Sequence, residues 1–169
     1  MRFDRGAIND FVSRQIVMPE CVHRMNLKGP WFYEWLDGPE PAAAFLDRCA
    51  DRESPHMSTS RVRMPASWRD AFGAVAGTVL LRRRFGRPSN LEAHERVHVT
   101  LDCVVGDADV AVNGETVASA VVSGETQSFD VTDRLEASNE LSIKLTFDGR
   151  TTEDSGQPLA SVAIEIFEA

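Results

Sequence analysis

The stretch RVHVTLDCVVGDADVAVNGETVASA, residues 96–120, decides the fold. Its first nine residues alternate, with Val97, Val99, Leu101 and Cys103 on one side and His98, Thr100 and Asp102 on the other. A strand sends successive side chains to opposite faces, so this period of two predicts a strand with one face on a core and the other in water. Further on, Asn113-Gly114 separates two apolar runs. A two-residue type I′ turn needs positive φ at both central residues, which Asn and Gly adopt most readily. A β-hairpin is therefore predicted with its turn at Asn113-Gly114.

The same texture extends in both directions. Upstream, TVLLRRRF (78–85) reads as a strand with Val79, Leu81, Arg83 and Phe85 on one face and Leu80, Arg82 and Arg84 on the other. Downstream, QSFDVTDRL (127–135), NELSIKLTFDG (139–149) and LASVAIEIFEA (159–169) supply three more strands, with a turn over Asp133–Asn139 between the first two. The polar, Gly- and Pro-marked GRTTEDSGQP (149–158) is expected as an exposed loop near a sandwich end. Short alternating runs broken by turn residues every 8 to 12 positions are the pattern of an all-β sandwich or jelly roll.

The first third reads differently. A short helix is expected around Ala7–Arg14, then a β-prone run Gln15–Met18 that stops at Pro19. MNLKGPWFYEWLDGPEPAA (25–43) holds Trp31, Tyr33 and Trp35 and reads as one aromatic strand between turns. A second short helix is expected from Pro41 to Asp51, where AAAFLDRCAD is rich in good helix formers. The expected organisation is an N-terminal extension, residues 1–24, packed on a β-sandwich domain of residues 25–169.

Composition narrows the function classes. At 43% hydrophobic and 26% charged over 169 residues, the chain can bury a real core. Eighteen basic against 26 acidic residues give a net charge of −8, which repels a phosphate backbone, so nucleic acid is not an expected partner. Cys21, Cys49 and Cys103 form neither a CxxC pair nor a zinc-ligand spacing, and three small buried or half-buried thiols are the expectation. MRFDRGAINDF lacks the apolar core of a signal peptide and no window approaches a membrane span, so a cytoplasmic protein with no membrane partner is expected.

Five pieces of sequence carry a family likeness. LKGPWFY (27–33), RVRMPASWRD (61–70), GTVLLRRRF (77–85), ADVAVNGETV (108–117) and FDVTDRLEASNELSIKL (129–145) occur in that order. They are similar to the L-x-G-x-W-x-F, V-P-x-S-W, G-x-x-W-Y-R-R-x-F, A-x-V-x-x-N-G-x-x-V and F-D-V-T-x-x-L-x-x-x-N-x-L-x-V-x-V segments of one domain. The chain thus resembles the amino-terminal sugar-binding jelly-roll domain of glycoside hydrolase family 2 enzymes, the β-galactosidase and β-glucuronidase group. The resemblance implies a galactose-binding-like sandwich over about residues 25–169. It also implies no catalysis, because the family's catalytic glutamates sit on a separate barrel domain to which nothing here corresponds. The decoration departs from the family: Leu80-Leu81 stands where the family has Trp-Tyr, and ASAVVSGETQS (118–128) replaces a Gly-rich segment.

The candidate site residues follow from chemistry. A sugar site needs an aromatic plane against the ring plus convergent polar groups. With no Trp or Tyr after Trp68, a ligand platform has to come from Trp31, Tyr33, Trp35 or Trp68, against the weightier alternative that these four rings are buried scaffold. Arg83 shares a face with Leu81 and Phe85 and so needs a carboxylate partner; by family analogy that is Asp130, in a structural ion pair. His94 and His98 lie on a strand approach, where i, i+4 spacing does not make a metal arm, and no metal site is expected. Asp107 and Asp109 can offer oxygens to a structural calcium ion but form no dense ligand loop, so no cofactor is expected.

The expected function is a non-catalytic carbohydrate-binding-like or protein-interaction module, with protein contact ranked above oligosaccharide. The alternative is a fragment or accessory subunit of a family 2-like glycosidase acting in carbohydrate metabolism. Self-association into a homo-oligomer is a third expectation.

Overall fold

Alternation in sequence becomes alternation in burial. The computed structural model describes residues 20–39, 41, 60–104, 106–121, 126–149 and 160–168. In chain order these form β1 (Cys21–Asn26), β2 (Gly29–Asp37), β3 (Ser60–Met64), helix α1 (Trp68–Phe72), β4 (Gly77–Gly86), β5 (Glu95–Val104), β6 (Asp107–Val112), β7 (Glu115–Val121), β8 (Gln127–Asp130) and a 3₁₀ turn (Thr132–Arg134). Two long strands, β9 (Ser138–Phe147) and β10 (Ala160–Glu168), complete the set.

The strands pair antiparallel in two sheets, one of order β1-β10-β5-β8 and one of order β3-β2-β4-β9-β6-β7. The all-β sandwich expected from the sequence is the fold observed. Val97, Val99 and Leu101 of β5 and Val162 and Ile164 of β10 form the inner face of the smaller sheet. Opposite them, Val79 and Leu81 of β4 sit in register with Leu145 and Ile143 of β9. Every second residue of β9 from Asn139 to Phe147 is buried. Burying each such side chain fully is worth about 1.5–3 kcal/mol, which makes this contact between sheets the main favourable term.

Three boundaries differ from the sequence expectation. β1 begins at Cys21 and pairs with β10, so the sandwich takes in residues 21–24, which the sequence assigns to an extension. The strand expected over 127–135 ends at Asp130 and turns into the 3₁₀ segment. Helix α1 is absent from the sequence expectation, although Ser67-Trp-Arg-Asp70 carries its signal: the Ser67 hydroxyl accepts from the Asp70 N–H at 3.0 Å, an N-cap. α1 then closes at Gly73, whose N–H donates to the Arg69 carbonyl at 2.9 Å. The helix expected at 7–14 and nearly all of the one at 41–51 lie outside the described residues, as does most of the 149–158 loop.

The hairpin turn is as expected, with φ of 53° at Asn113 and 83° at Gly114. Nothing would obstruct a Cβ on Gly114, so glycine serves the backbone conformation there and not the space. Asn113 also ties two distant segments. Its amide donates to the Arg134 carbonyl and to Asn139 Oδ1, both at 2.9 Å, while its Oδ1 accepts from the Glu140 N–H at 2.9 Å. Asn139, 1% exposed, is fully engaged: Oδ1 also accepts from the Glu136 N–H at 2.8 Å, and Nδ2 donates to the Glu136 carbonyl at 2.9 Å.

Asn139→Ala would strip part-buried bonds from the Glu136 N–H, the Glu136 carbonyl and the Asn113 amide together, so it is expected to lower stability by about 1–2 kcal/mol, read as a lower urea midpoint at unchanged m-value. The exposed neighbour serves as control, with Glu140→Ala costing about 0.5 kcal/mol or less.

Candidate functional site

Three of the four candidate rings, Tyr33, Trp35 and Trp68, gather in one aromatic cluster, while Trp31 lies apart under the Arg83 guanidinium. α1 presents Trp68 and Phe72 to β2, placing Phe72 5.1 Å edge-on from Tyr33, Trp68 5.0 Å from Phe72, and Trp35 5.8 Å from Trp68. Phe147 of β9 completes the cluster at 5.1 Å from Trp68. Trp31 and Trp68 are 0% exposed and Tyr33 is 6% exposed. All three indole N–H groups already donate to backbone: Trp31 to the Leu27 carbonyl at 3.1 Å, Trp35 to Gly38 at 3.3 Å, and Trp68 to Val75 at 2.8 Å. Trp35 is half-buried, yet its ring lies so close over Gly77 that a Cβ there would sit 2.2 Å from Cζ2. Trp31, Tyr33 and Trp68 are thus part of the core, and Trp35 packs against Trp68 and Phe72.

The expected Arg83–Asp130 ion pair does not form. Arg83 sits on β4 in the larger sheet, where Nη1 donates to the Pro30 carbonyl at 3.3 Å, the guanidinium lies 6.0 Å over the Trp31 ring, and Nε has no partner. Burial without a carboxylate lowers its pKa. Asp130 ends β8 in the other sheet, and its Oδ1 accepts from the Thr132 hydroxyl at 2.6 Å and the Thr132 N–H at 2.9 Å. Desolvation alone would raise the Asp130 pKa, but those two bonds, with the positive charge of His98 and Arg96, outweigh it and hold the carboxyl below its usual range. The analogy failed because β4 and β8 belong to different layers, a fact that sequence spacing does not encode.

Arg82, by contrast, pairs with Glu34 across the outer face at 3.3 Å. Asp107 and Asp109 lie on strand β6, with Asp109 3.9 Å from Lys144. Among the described residues no three His, Cys, Asp or Glu side chains are grouped to hold a metal ion.

Two other features have the makings of a site. The first is a polar chain that crosses the outer face of the smaller sheet, strand by strand. Arg24 of β1 pairs with Glu165 of β10 and Asp102 of β5. The other Glu165 oxygen accepts from the Thr100 hydroxyl at 2.6 Å, Thr100 meets Ser128 of β8 at 3.1 Å, and Ser128 meets His98 Nδ1 at 2.9 Å. Thr100 and Glu165 are buried within it. Both Glu165 oxygens are engaged by neighbouring side chains, Oε1 by the Arg24 guanidinium and Oε2 by the Thr100 hydroxyl. Among the described residues no carboxylate is hydrogen-bonded to the His98 imidazole, and Asp130 Oδ1 accepts from Thr132 instead. What this chain does is fasten four strands into one layer.

The second feature is a groove of about 400 Å³ where the sandwich opens beside β1. It is lined by Ile164 and Ile166 of β10, by Met25 and His23 of β1, and by the segment Gly86–Ser89 that follows β4. Neither feature is legible in the sequence, because His23, Arg24 and Met25 fall at the boundary of the expected extension and the alternation of β10 speaks only for its apolar side.

Comparison with known proteins bears on the fold. No protein-family model matches the chain, and no curated protein matches it. Solved structures do match. A β-glucuronidase of Bifidobacterium dentium, complexed with coumarin-3-O-glucuronide, aligns with TM-score 0.61 and 20% identity over 87% of this chain and 30% of its own. A Lactobacillus rhamnosus β-glucuronidase aligns with TM-score 0.63 and 17% identity over 90% of this chain and 30% of its own. A family 2 glycosyl hydrolase from Bacteroides cellulosilyticus gives 0.60, 18%, 85% and 20% in the same terms. The chain is thus an all-β sandwich of the class found in multidomain glycosidases. More particularly, it has the fold of the amino-terminal domain of family 2 enzymes, as its five sequence pieces imply, and it spans under a third of the length of the structures it matches.

Two outcomes are expected at this site. A double-mutant cycle of Arg83→Met and Asp130→Asn should give a coupling energy below about 0.3 kcal/mol, since the two groups share no partner. Arg83→Met alone should change stability by no more than about 1 kcal/mol, because losing the Nη1 bond to the Pro30 carbonyl and the contact with Trp31 offsets removal of the unpartnered Nε. Asp130 stabilises the fold only while ionised. Its folded pKa lies below the unfolded value of about 4, so the contribution is present above about pH 4 and fades as pH falls through the folded pKa. Asp130→Asn should remove that portion of the acid sensitivity in urea midpoints measured from pH 7 to pH 2.

Proposed function

We propose that the chain is a non-catalytic binding module whose ligand is a protein surface rather than a saccharide. The observation that carries this reading is the burial of Trp31, Tyr33 and Trp68 with the indole donors bonded internally, which leaves no bare ring among them to grip a pyranose. The large apolar side chains that do face solvent, Val22 and Met25 on β1 and Phe32 and Leu36 on β2, suit contact with another protein. β1 is also an edge strand among the described residues, and an edge offers backbone groups for strand addition. In this reading the module works in the cytoplasm without a cofactor.

A second reading is supported by the span of the structural matches. Likeness to one domain of larger glycosidases fits an accessory domain whose barrel lies on another chain or further along this one. The partner surface would then be that barrel.

Purified chain is expected to release no chromophore from aryl β-glycosides and to show no saturable binding on a glycan array at micromolar concentration. Hydrolysis would overturn the non-catalytic reading. Glycan binding abolished by Trp35→Ala with an unchanged melting curve would overturn the preference for protein. Binding to the product of an adjacent reading frame that encodes a barrel would favour the accessory-domain reading, and a mass that doubles with concentration in light scattering would favour self-association.

A further inference from the structure

We propose that the groove beside β1 is a binding site for a small amphipathic carboxylate, an organic acid with a short hydrocarbon or aromatic body. The site does not rest on the protein-contact reading, although it shares Met25 with that surface, and none of the clustered rings lines it.

The argument rests on shape, floor and rim. A volume of about 400 Å³ falls within the range of small-molecule sites. Its floor of Ile164, Ile166 and Met25 is aliphatic, which favours a hydrocarbon body and offers a sugar neither a stacking plane nor a hydrogen bond. Met25, 40% exposed, is unbranched and can shift to follow the ligand's outline.

The rim supplies the sign of the charge. Among the described residues, Arg87 and His23 are the ionisable groups lining the groove and no carboxylate lines it, in a chain whose net charge is −8. The Arg87 backbone N–H is held by the Ala137 carbonyl at 3.2 Å, while its side chain has no ion-pair or hydrogen-bond partner among the described residues. The His23 imidazole likewise has none. A guanidinium on a fixed backbone is a fork for a carboxylate, and the imidazole and the Ser89 hydroxyl can add one hydrogen bond each. A half-open apolar groove with an unneutralised cation at its lip complements a molecule that is greasy at one end and anionic at the other.

Titration of the full chain with 3-phenylpropanoate, followed by amide chemical-shift changes, tests the site. A ligand of this size at ordinary efficiency should saturate with a Kd of about 1 mM. Shifts should centre on residues 23–25, 86–89 and 164–166. The matching amide, 3-phenylpropanamide, should bind about tenfold more weakly, and 3-phenylpropylammonium should not saturate. Arg87→Gln should bring the acid down to the amide's affinity and leave the amide unchanged; as an exposed side chain without partners, it should also leave the melting temperature unchanged. Met25→Gln should weaken acid and amide together. The proposal is overturned if the amide matches the acid, if Arg87→Gln leaves the acid's affinity intact, if shifts fall elsewhere, or if none saturate at about twenty times that Kd. Phenethyl phosphate binding more than tenfold tighter than the acid would overturn the choice of carboxylate.

Discussion

Neither sheet of this protein can exist without the other. β4 and β9 present Val79, Leu81, Ile143 and Leu145 to one side, and β5 and β10 answer with Val99, Leu101 and Ile164. An antiparallel sheet with one apolar face is unstable in water until that face is covered, and two such faces cover each other best as a sandwich. Every other feature is placed by this contact: which residues are left outside, where the chain crosses between layers, and where the layers fail to match.

Four strands cannot fully cover six, and the overhang is filled by what is at hand. α1 drops Trp68 and Phe72 onto Trp35, Tyr33 and Phe147, using large rings where no strand is available. That use competes with ligand binding. A ring that closes a core must bury both faces and satisfy its N–H internally, whereas a saccharide platform must leave one face bare. In this chain the first demand has won at Trp31 and Trp68, so a residue type that suggests sugar recognition from composition serves stability instead. The outer face of the smaller sheet shows the same economy with polar groups, since Arg24, Glu165, Thr100 and Ser128 satisfy one another and hold their strands in order.

The strands were legible because each alternation is local. Val97, Val99 and Leu101 announce their own face, and Asn113-Gly114 announces its own turn. Even α1 left a readable trace in Ser67 and Asp70, outweighed by the β texture around it. Partnerships between layers were not legible. Arg83 needs a carboxylate by any local argument, and Asp130 is a carboxylate, yet one ends β8 against Thr132 while the other lies over Trp31 in the opposite sheet. The link between Asn113 and Asn139 escaped notice for the same reason, although both residues stand in the sequence pieces that carry the family likeness. Periodicity reports which way a side chain points, and says nothing about what lies across the gap.

The mismatch between the sheets also explains why the groove lies where it does. At the end beneath α1 the margin is sealed by aromatic rings. Beside β1, among the described residues, the short Gly86–Ser89 connection meets Ile164 and Ile166 across a groove and leaves it open. A core of this kind ordinarily leaves few voids, because unfilled apolar space forfeits dispersion energy. Closing the margin would take another apolar side chain on β1, but its inward positions carry His23, which keeps a polar tip toward water, and Met25, which remains 40% exposed. The opening is thus written into two residues of one edge strand, and the same two residues give it a polar lip and an adaptable wall.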